Sequence, residues 1–579
     1  MLKILKRFLK PYMGKVILVV LLTMVTTLLN LSLPMMSKRI IDTGIAEGGM
    51  DLIIQTIITM LVISVVSIVI TITNNTISSK TSMSFSRDLR KELFHHVSTL
   101  SQGDVDTIGS ASLISRQGND VTQMQTVLVQ MMQIFLVAPL MCIGGMIMAF
   151  ITAPKMAWII AVILPLAILA FCIVLVKAIP VFAVTQKRID KVNRIAREAL
   201  NGMRVIRAFN KEEYETEHFA EVSEELREST AHGNKLMMTM LPVMNLLANA
   251  ANILIALFGA KYLQDQSVKV GDIQAFILYV SMILMAFMLC SVMFIILPRA
   301  QTSGKRIMEV FDTQPSVNDP ENPVTIAKES PISVEFEHVS FHYPRVDQNV
   351  LTDINFKAEA GQVVAIIGGT GSGKSTLLNL LPRYYDVTEG SVKINGVDIR
   401  DITQDDLRDR LAVIPQKSFL FGGSIYENIC YGKKDATPEE VQHALDVSQS
   451  ADFVKEKEYG IYSYITPAGT NVSGGQRQRL AIARALVRKP DVYLFDDSFS
   501  ALDFKTDAKL RKALKKEVGN SIMIIVAQRV STIRDADRIL VLEKGQVVGD
   551  GTHDELMSSN ETYREIALSQ LSESEVKGA

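Results

Sequence analysis

Residues 368–376 read GGTGSGKST and match the spacing G-x-x-x-x-G-K-[ST] from Gly368 to Ser375. Each residue type there has a task beside a phosphate chain. Gly368, Gly369, Gly371 and Gly373, with Thr370 and Ser372 between them, let backbone N–H groups close around phosphate oxygens. Lys374 reaches the terminal phosphates, and Ser375, followed by Thr376, offers a hydroxyl to Mg2+. The ligand class implied is a nucleoside triphosphate with its magnesium ion. Two other segments end in polar residues suited to the same phosphates. DVYLFD (491–496) delivers Asp496, a carboxylate that can hold Mg2+ through water, and SIMIIVA (521–527) delivers Gln528. Between them, NVSGGQRQRLAIARAL (471–486) opens an amphipathic helix with Ser473, Gly474, Gly475 and Gln476, a second anion site at a helix N-terminus. One chain already has one phosphate cradle. The second site therefore serves a nucleotide held by another molecule, which implies a face-to-face dimer.

These residues need elements to position them. QVVAIIG (362–368) is a continuous apolar run, as expected of a strand covered on both faces, and the apolar stretch LLNLLPRYY after the glycines reads as a helix. ISVEFEHVSFHY (332–343) alternates like a half-buried strand. Upstream, TQPSVNDPENP (313–323) breaks both periodicities and marks a linker over 311–330.

The first half differs in kind. Six segments, about 16–36, 52–73, 127–151, 156–178, 237–260 and 274–298, are apolar enough to cross about 30 Å of hydrocarbon. The connections near 74–126 and 179–236 are long, polar and helix-patterned, and carry Arg87, Arg90, Lys91, Arg116, Lys187, Arg188 and further basic residues. The positive-inside rule places them, the N-terminus and the C-terminal half in the cytoplasm. They read as membrane helices continued past the bilayer, with tips near 104–116 and 201–215 that meet the soluble domain. The basic N-terminal segment MLKILKRFLKPYMGK reads as an interfacial helix lying on the membrane. The spans hold no mid-membrane charge, which argues against a proton- or sodium-driven carrier. They hold Gln130, Met131, Met132 and Gln133, then Asn245, Asn249 and Asn252, then Met282, Met285, Met288 and Met293. Methionine is flexible and polarizable, which suits a surface accepting many apolar shapes. The formal net charge of −1 gives no reason to expect a nucleic-acid partner. Cys142, Cys172, Cys290 and Cys430 lack metal or redox spacing and read as small buried hydrophobes.

Taken in order, GGTGSGKS, VSGGQ and LFDD followed by SALD resemble the motifs of an ABC transporter of the exporter type, and the resemblance covers essentially the whole chain. It implies an all-α six-helix transmembrane domain (1–310) with long cytoplasmic helical extensions. An α/β P-loop ATPase domain (331–579) follows, with an antiparallel β subdomain and a helical subdomain. By position, Tyr343 resembles the aromatic that stacks on adenine. Gln416 in VIPQKSFLF resembles the loop glutamine that touches Mg2+ and senses the membrane domain. Ser500–Asp503 resembles the loop exchanged between two ATPase domains, and the two tips resemble coupling helices. The cofactors implied are ATP and Mg2+.

Three positions depart from the family pattern. Asp497 stands where a Glu usually positions or deprotonates the attacking water, on an arm shorter by roughly 1.5 Å. A base must sit within about 3 Å of its proton, and a misplacement near 1 Å costs on the order of a hundredfold in rate. Gln528 stands where the family usually has a His at the terminal phosphate, and it cannot carry a proton. TPAGTN (466–471) replaces a loop that often contains Glu. Asp497 and Gln528 serve the ATP on this chain's own glycine loop, whereas the intact VSGGQ serves the partner's. The expectation is one half of a heterodimeric bacterial multidrug exporter, paired with a non-identical chain carrying Glu and His. The expected cargo is a lipophilic compound, and the expected place is the cell membrane. The other readings are a lipid or peptide exporter, a nucleotide-gated regulator or channel, and a membrane-tethered ATPase.

Overall fold

In hydrocarbon every backbone amide must find its partner inside its own segment, so long apolar runs become helices. The computed structural model describes residues 1–46, 48–326, 331–344 and 346–570. Among the described residues, six helical stretches are long and apolar enough to cross a membrane: Leu2–Ile45, Met50–Thr99, Ser110–Thr152, Pro154–Ala208, Glu212–Gln264 and Val270–Leu289. The last belongs to a helix running Val270–Asp312. Met50–Thr99 has 50 residues and Ala157–Ala208 has 52. At 1.5 Å per residue each is roughly 75 Å long, more than twice the hydrocarbon thickness. The extensions are thus continuous with the spans.

Burial in this half is inverted. Ile57, Ile58, Leu61, Val62 and Val65 face outward, while Ser78, Thr81, Ser82 and Ser86 of the same helix are buried. Small polar residues let helices approach, and the apolar outside suits lipid. The same inversion corrects the cysteine expectation. Cys172 is exposed and Cys142 and Cys430 are only half-buried, while the surroundings of Cys290 lie outside the described residues. The third stretch carries a π-helical turn at Met131–Phe135, where the Met and Gln residues cluster. The N-terminal helix Leu2–Leu9 forms, with Ile4 and Leu5 buried, Phe8 packed on Phe85 and Phe311, and Leu2 exposed.

The chain divides into two compact units. One comprises Met1–His96 with Ala111–Asp312, the other Val97–Ser110 with the chain from Thr313 onward. Residues 97–110, expected within the membrane domain, group with the C-terminal unit. A capping box at Ser101 and Asp104 starts the helix Gln102–Ile108. Asp104 Oδ2 also accepts the backbone N–H of Ser316 at 3.0 Å, and the Tyr385 hydroxyl donates to Asp106 Oδ2 at 3.0 Å.

In the C-terminal unit, β1 (Ser333–Phe341), β2 (Leu351–Glu359), β4 (Glu389–Ile394) and β5 (Val397–Asp398) form an antiparallel sheet in the order β2-β1-β4-β5. The main sheet has the order β12-β11-β3-β10-β9-β6, from β3 (Val363–Gly368), β6 (Leu411–Ile414), β9 (Val492–Asp496), β10 (Ile522–Val526), β11 (Arg538–Glu543) and β12 (Gln546–Gly551). β7 (Gly423–Ser424) and β8 (Tyr464–Ile465) make a short third pair. β3, β6, β9, β10 and β11 run parallel, and β12 closes the edge antiparallel. Their continuous apolar runs feed two cores. Ala365, Ile367, Phe495 and Ile525 enter one, and Val364, Ile366, Leu494 and Ile524 enter the other.

The linker is irregular but fastened. Arg383 donates to Asn318 O at 3.0 Å, Arg410 to Ile326 O at 2.5 Å, and Val324 N–H to Asp401 O at 2.8 Å. Residues 327–330 of the expected linker lie outside the described residues. Arg383 and Arg410 are buried and also paired, with Asp386 and Asp491. Arg410→Ala is expected to destabilise the ATPase unit by about 2 kcal/mol. It should also open residues 313–326 to protease, read by melting temperature and by mapping the cleavage sites.

Candidate functional site

The parallel register sets the site. Val526 of β10 pairs with Ile366 of β3 on one side and Asp496 of β9 on the other. The three strands therefore end together, and the residues after them, Gly368 onward, Asp496–Asp497 and Gln528, reach the same edge. In open α/β sheets ligands bind at this carboxyl end.

After β3 the chain turns through the glycine loop into the helix Lys374–Leu380. Gly368 is required by close approach, since a Cβ there would fall 2.1 Å from the carbonyl oxygen of Leu542. Gly373 is required by backbone conformation, with φ +99°. Lys374 Nζ donates to the carbonyls of Gly368 (2.9 Å) and Gly369 (2.7 Å), which curls the side chain over its own loop. Ser375 Oγ donates to Asp496 Oδ1 at 2.8 Å, so two of the three expected Mg2+ ligands are already neighbours. Tyr343 packs edge-on against Phe341 and Tyr385, and its hydroxyl lies 2.9 Å from Thr376 Oγ1 at the start of the helix.

Asp497 is the best-held residue of the site. It is 8% exposed and sits at φ +48°, a left-handed conformation in which Asp is enriched. Its N–H donates to Val526 O at 2.9 Å. Its Oδ2 accepts two amides, Gln416 Nε2 at 3.1 Å and Gln528 Nε2 at 2.9 Å. Gln416 thus reaches Asp497, not Asp496. A water activated by this carboxylate must use Oδ1 or displace an amide.

Electrostatics fit a polyanion carrying a hard dication. Burial holds the Lys374 ammonium below the usual lysine range, against the pull of Asp497 and Asp496. Burial also pushes the Asp496 carboxyl up; the Ser375 hydrogen bond opposes this and the neighbouring Asp497 adds to it. Ser372 Oγ is buried without a hydrogen-bond partner. No group of three or more His, Cys, Asp or Glu that could hold a metal occurs among the described residues. Ser375 and Asp496 supply part of an all-oxygen set, the pattern of Mg2+ that also takes ligands from phosphates and water.

Comparison with known proteins agrees with this geometry. Residues 16–287 match the model of the ABC transporter transmembrane region, and residues 351–500 match that of the ABC transporter. An uncharacterized ABC transporter ATP-binding protein of Mycobacterium tuberculosis (strain CDC 1551 / Oshkosh) is 36% identical over 581 residues, covering 100% of both chains. The chain belongs to the ABC transporter family. An ATP-dependent lipid A-core flippase of Desulfotalea psychrophila is 33% identical over 84% of this transporter and 85% of its own length. A multidrug efflux ATP-binding/permease protein of Mycobacterium bovis is 29% identical over 93% of this transporter, which corresponds to 45% of that longer protein. A solved bacterial Atm1-family ABC exporter with ATP bound shares the fold, with TM-score 0.77 and 24% identity over 96% of this chain and 98% of that one.

The segment expected to form a second anion site opens a capped helix. Ser473 and Gln476 form a capping box at the start of the helix Gly474–Arg488, with the Gln476 N–H on Ser473 Oγ and the Ser473 N–H on Gln476 Oε1. Gly475 lies close to Ala501 O, where a Cβ would fall at 3.1 Å. Asp503 caps the helix Phe504–Glu517 by accepting the Thr506 N–H at 3.0 Å. That role is structural and holds its carboxyl below the usual carboxylate range. The 466–471 loop is tied by Asn471, which bonds Thr466 N and Tyr464 O. Sequence reasoning missed Arg529, which lies 5.2 Å over the Phe504 ring and bonds Ser500 O at 3.3 Å. No motif flags it.

A carboxyl whose folded pKa is raised destabilises the fold while it is charged, and the cost disappears as pH falls through that value. Asp496→Asn is therefore expected to melt higher than wild type at pH 7 without nucleotide, with the gap shrinking on acidification. Its affinity for Mg2+-ATP should fall by about tenfold or more. Melting curves and a nucleotide titration read the two effects separately.

Proposed function

We propose that this ABC transporter is one half of a heterodimeric exporter of lipophilic or amphiphilic compounds, and that its own ATP site binds well but hydrolyses slowly. The observation that carries the reading is Asp497, a carboxylate one methylene short whose Oδ2 is taken by Gln416 and Gln528. Both amides keep the site polar and able to grip a phosphate, and neither can take up a proton. The intact signature at Ser473–Gln476 serves the ATP held by a partner with Glu and His.

The chain's residues divide the work. Tyr343 stacks on the base, the glycine loop and Lys374 hold the phosphates, and Ser375 and Asp496 hold Mg2+, with Gln416 at its edge. The ion supplies charge neutralisation on the phosphate oxygens. Asp503 and its loop face the partner. Closure of the two ATPase domains reaches the membrane helices through the coupling segments at 104–116 and 201–215. The cytoplasmic side holds the ATPase domain, in keeping with the basic long connections.

The substrate surface is argued from composition. Asn245, Asn249 and Met285 stand exposed on membrane helices, and among the described residues the spans carry no Asp, Glu, Lys or Arg near mid-membrane. A lipid cargo is the second reading, favoured by the likeness to a protein named a lipid flippase.

ATP turnover of the reconstituted complex tests the division of labour. Glu→Gln at the partner's catalytic position is expected to lower turnover more than about a hundredfold. Asp497→Asn should lower it less than about twofold, because that site contributes little. Rapid, vanadate-sensitive hydrolysis by this chain purified without a companion sinks the heterodimer reading. ATP-dependent dye uptake into inverted vesicles, with and without the partner, tests export.

A further inference from the structure

The segment after β10 carries Gln528, and it is gripped from an unexpected direction. The helix Glu561–Gln570 is seated by the buried Tyr563 and Ala567. The Tyr563 hydroxyl bonds His553 Nδ1 at 2.8 Å, and Thr562 Oγ1 bonds Glu543 Oε2 at 3.1 Å. At its end, the side-chain amide of Gln570 makes two bonds to one short stretch of backbone. Its Nε2 donates to Gln528 O at 2.8 Å, and its Oε1 accepts the Val530 N–H at 2.9 Å. Gln570 therefore holds the chain on both sides of Arg529, as a neighbouring strand would. The Val530 N–H opens the helix Val530–Ile533, so it has no partner within that helix. A carboxamide offers donor and acceptor together at this reach, a combination carboxylate and ammonium lack.

The same backbone carries the Gln528 side chain to Asp497 Oδ2 at 2.9 Å. The path from Gln570 to the carboxylate is thus two backbone hydrogen bonds, one residue and one amide. We propose that Gln570 is a positioning residue for this nucleotide site: it fixes the backbone of residues 528–530, here called the switch, and so sets where the Gln528 amide meets Asp497 and the terminal phosphate. The proposal rests on the reading of Gln528 as the phosphate-facing residue. It assigns the C-terminal helix a part in retaining nucleotide, separate from its part in the core.

The test uses the full-length transporter, reconstituted with its companion subunit, and a fluorescent nonhydrolysable ATP analogue followed by stopped flow. The release phase of this chain's own site is the one lost in Lys374→Ala. Gln570→Ala and the near-isosteric Gln570→Glu, which loses the donor and puts a negative charge against the Gln528 carbonyl, are both expected to speed that phase about three- to tenfold, the scale of one or two hydrogen bonds. The melting temperature should stay within about 2 °C of wild type. Gln528→Ala should speed release as well, and adding Gln570→Ala to it should change nothing further, because the second acts through the first. A merely structural role would instead give effects that multiply. Unchanged release in both Gln570 variants, or multiplied effects in the double variant, overturns the proposal. If Gln528→Ala alone leaves release unchanged, the reading of Gln528 falls and the proposal with it. The probe is not hydrolysed, so a catalytically competent Asp497 leaves this experiment untouched.

Discussion

One carboxylate oxygen organises the nucleotide site. Asp497 Oδ2 accepts an amide from Gln416 and another from Gln528, and these come from the loop after β6 and the loop after β10. The convergence depends on the parallel pairing of β6, β9 and β10, which stops the strands at one edge. The Asp497 backbone is anchored to Val526 through its N–H. A Glu would extend roughly 1.5 Å further toward the phosphates.

The membrane half obeys a different constraint. Its backbone polar groups are satisfied within helices, and its apolar surface faces outward while serines and threonines line helix contacts. Threonine hydroxyls return to the carbonyl four residues earlier, as Thr56, Thr73 and Thr76 do, so they cost little in an apolar setting. Its longest helices continue well past hydrocarbon thickness. Arg116 bonds Arg306 O and Glu309 from the helix Val270–Asp312.

Connections in the ATPase unit are fastened by side chains that act on backbone. Arg383 and Arg410 bond carbonyls of the linker, Asp104 bonds the Ser316 amide, and Gln570 brackets the switch. Each replaces a backbone partner that an irregular segment lacks, as buried or half-buried peptide groups require. By contrast, Leu200, Val205, Phe209 and Tyr214 near the second tip stand exposed.

The sequence by itself determined the six apolar helices, the glycine loop and the strands that precede Asp496 and Gln528. Local rules suffice for these: span length, the φ demanded of glycine, and apolar runs too short for helices. It also exposed the substitutions at 497 and 528, because motif spacing survives without coordinates. It misjudged Cys172, since apolarity does not say whether protein or lipid is the neighbour. Only the tertiary structure decided that residues 97–110 group with the ATPase unit, that Gln416 meets Asp497, and that Gln570 grips the switch from 40 or more positions away. Those contacts join side chains to distant backbone atoms, and a backbone atom leaves no trace in residue type. Only the folded register brings the two within reach.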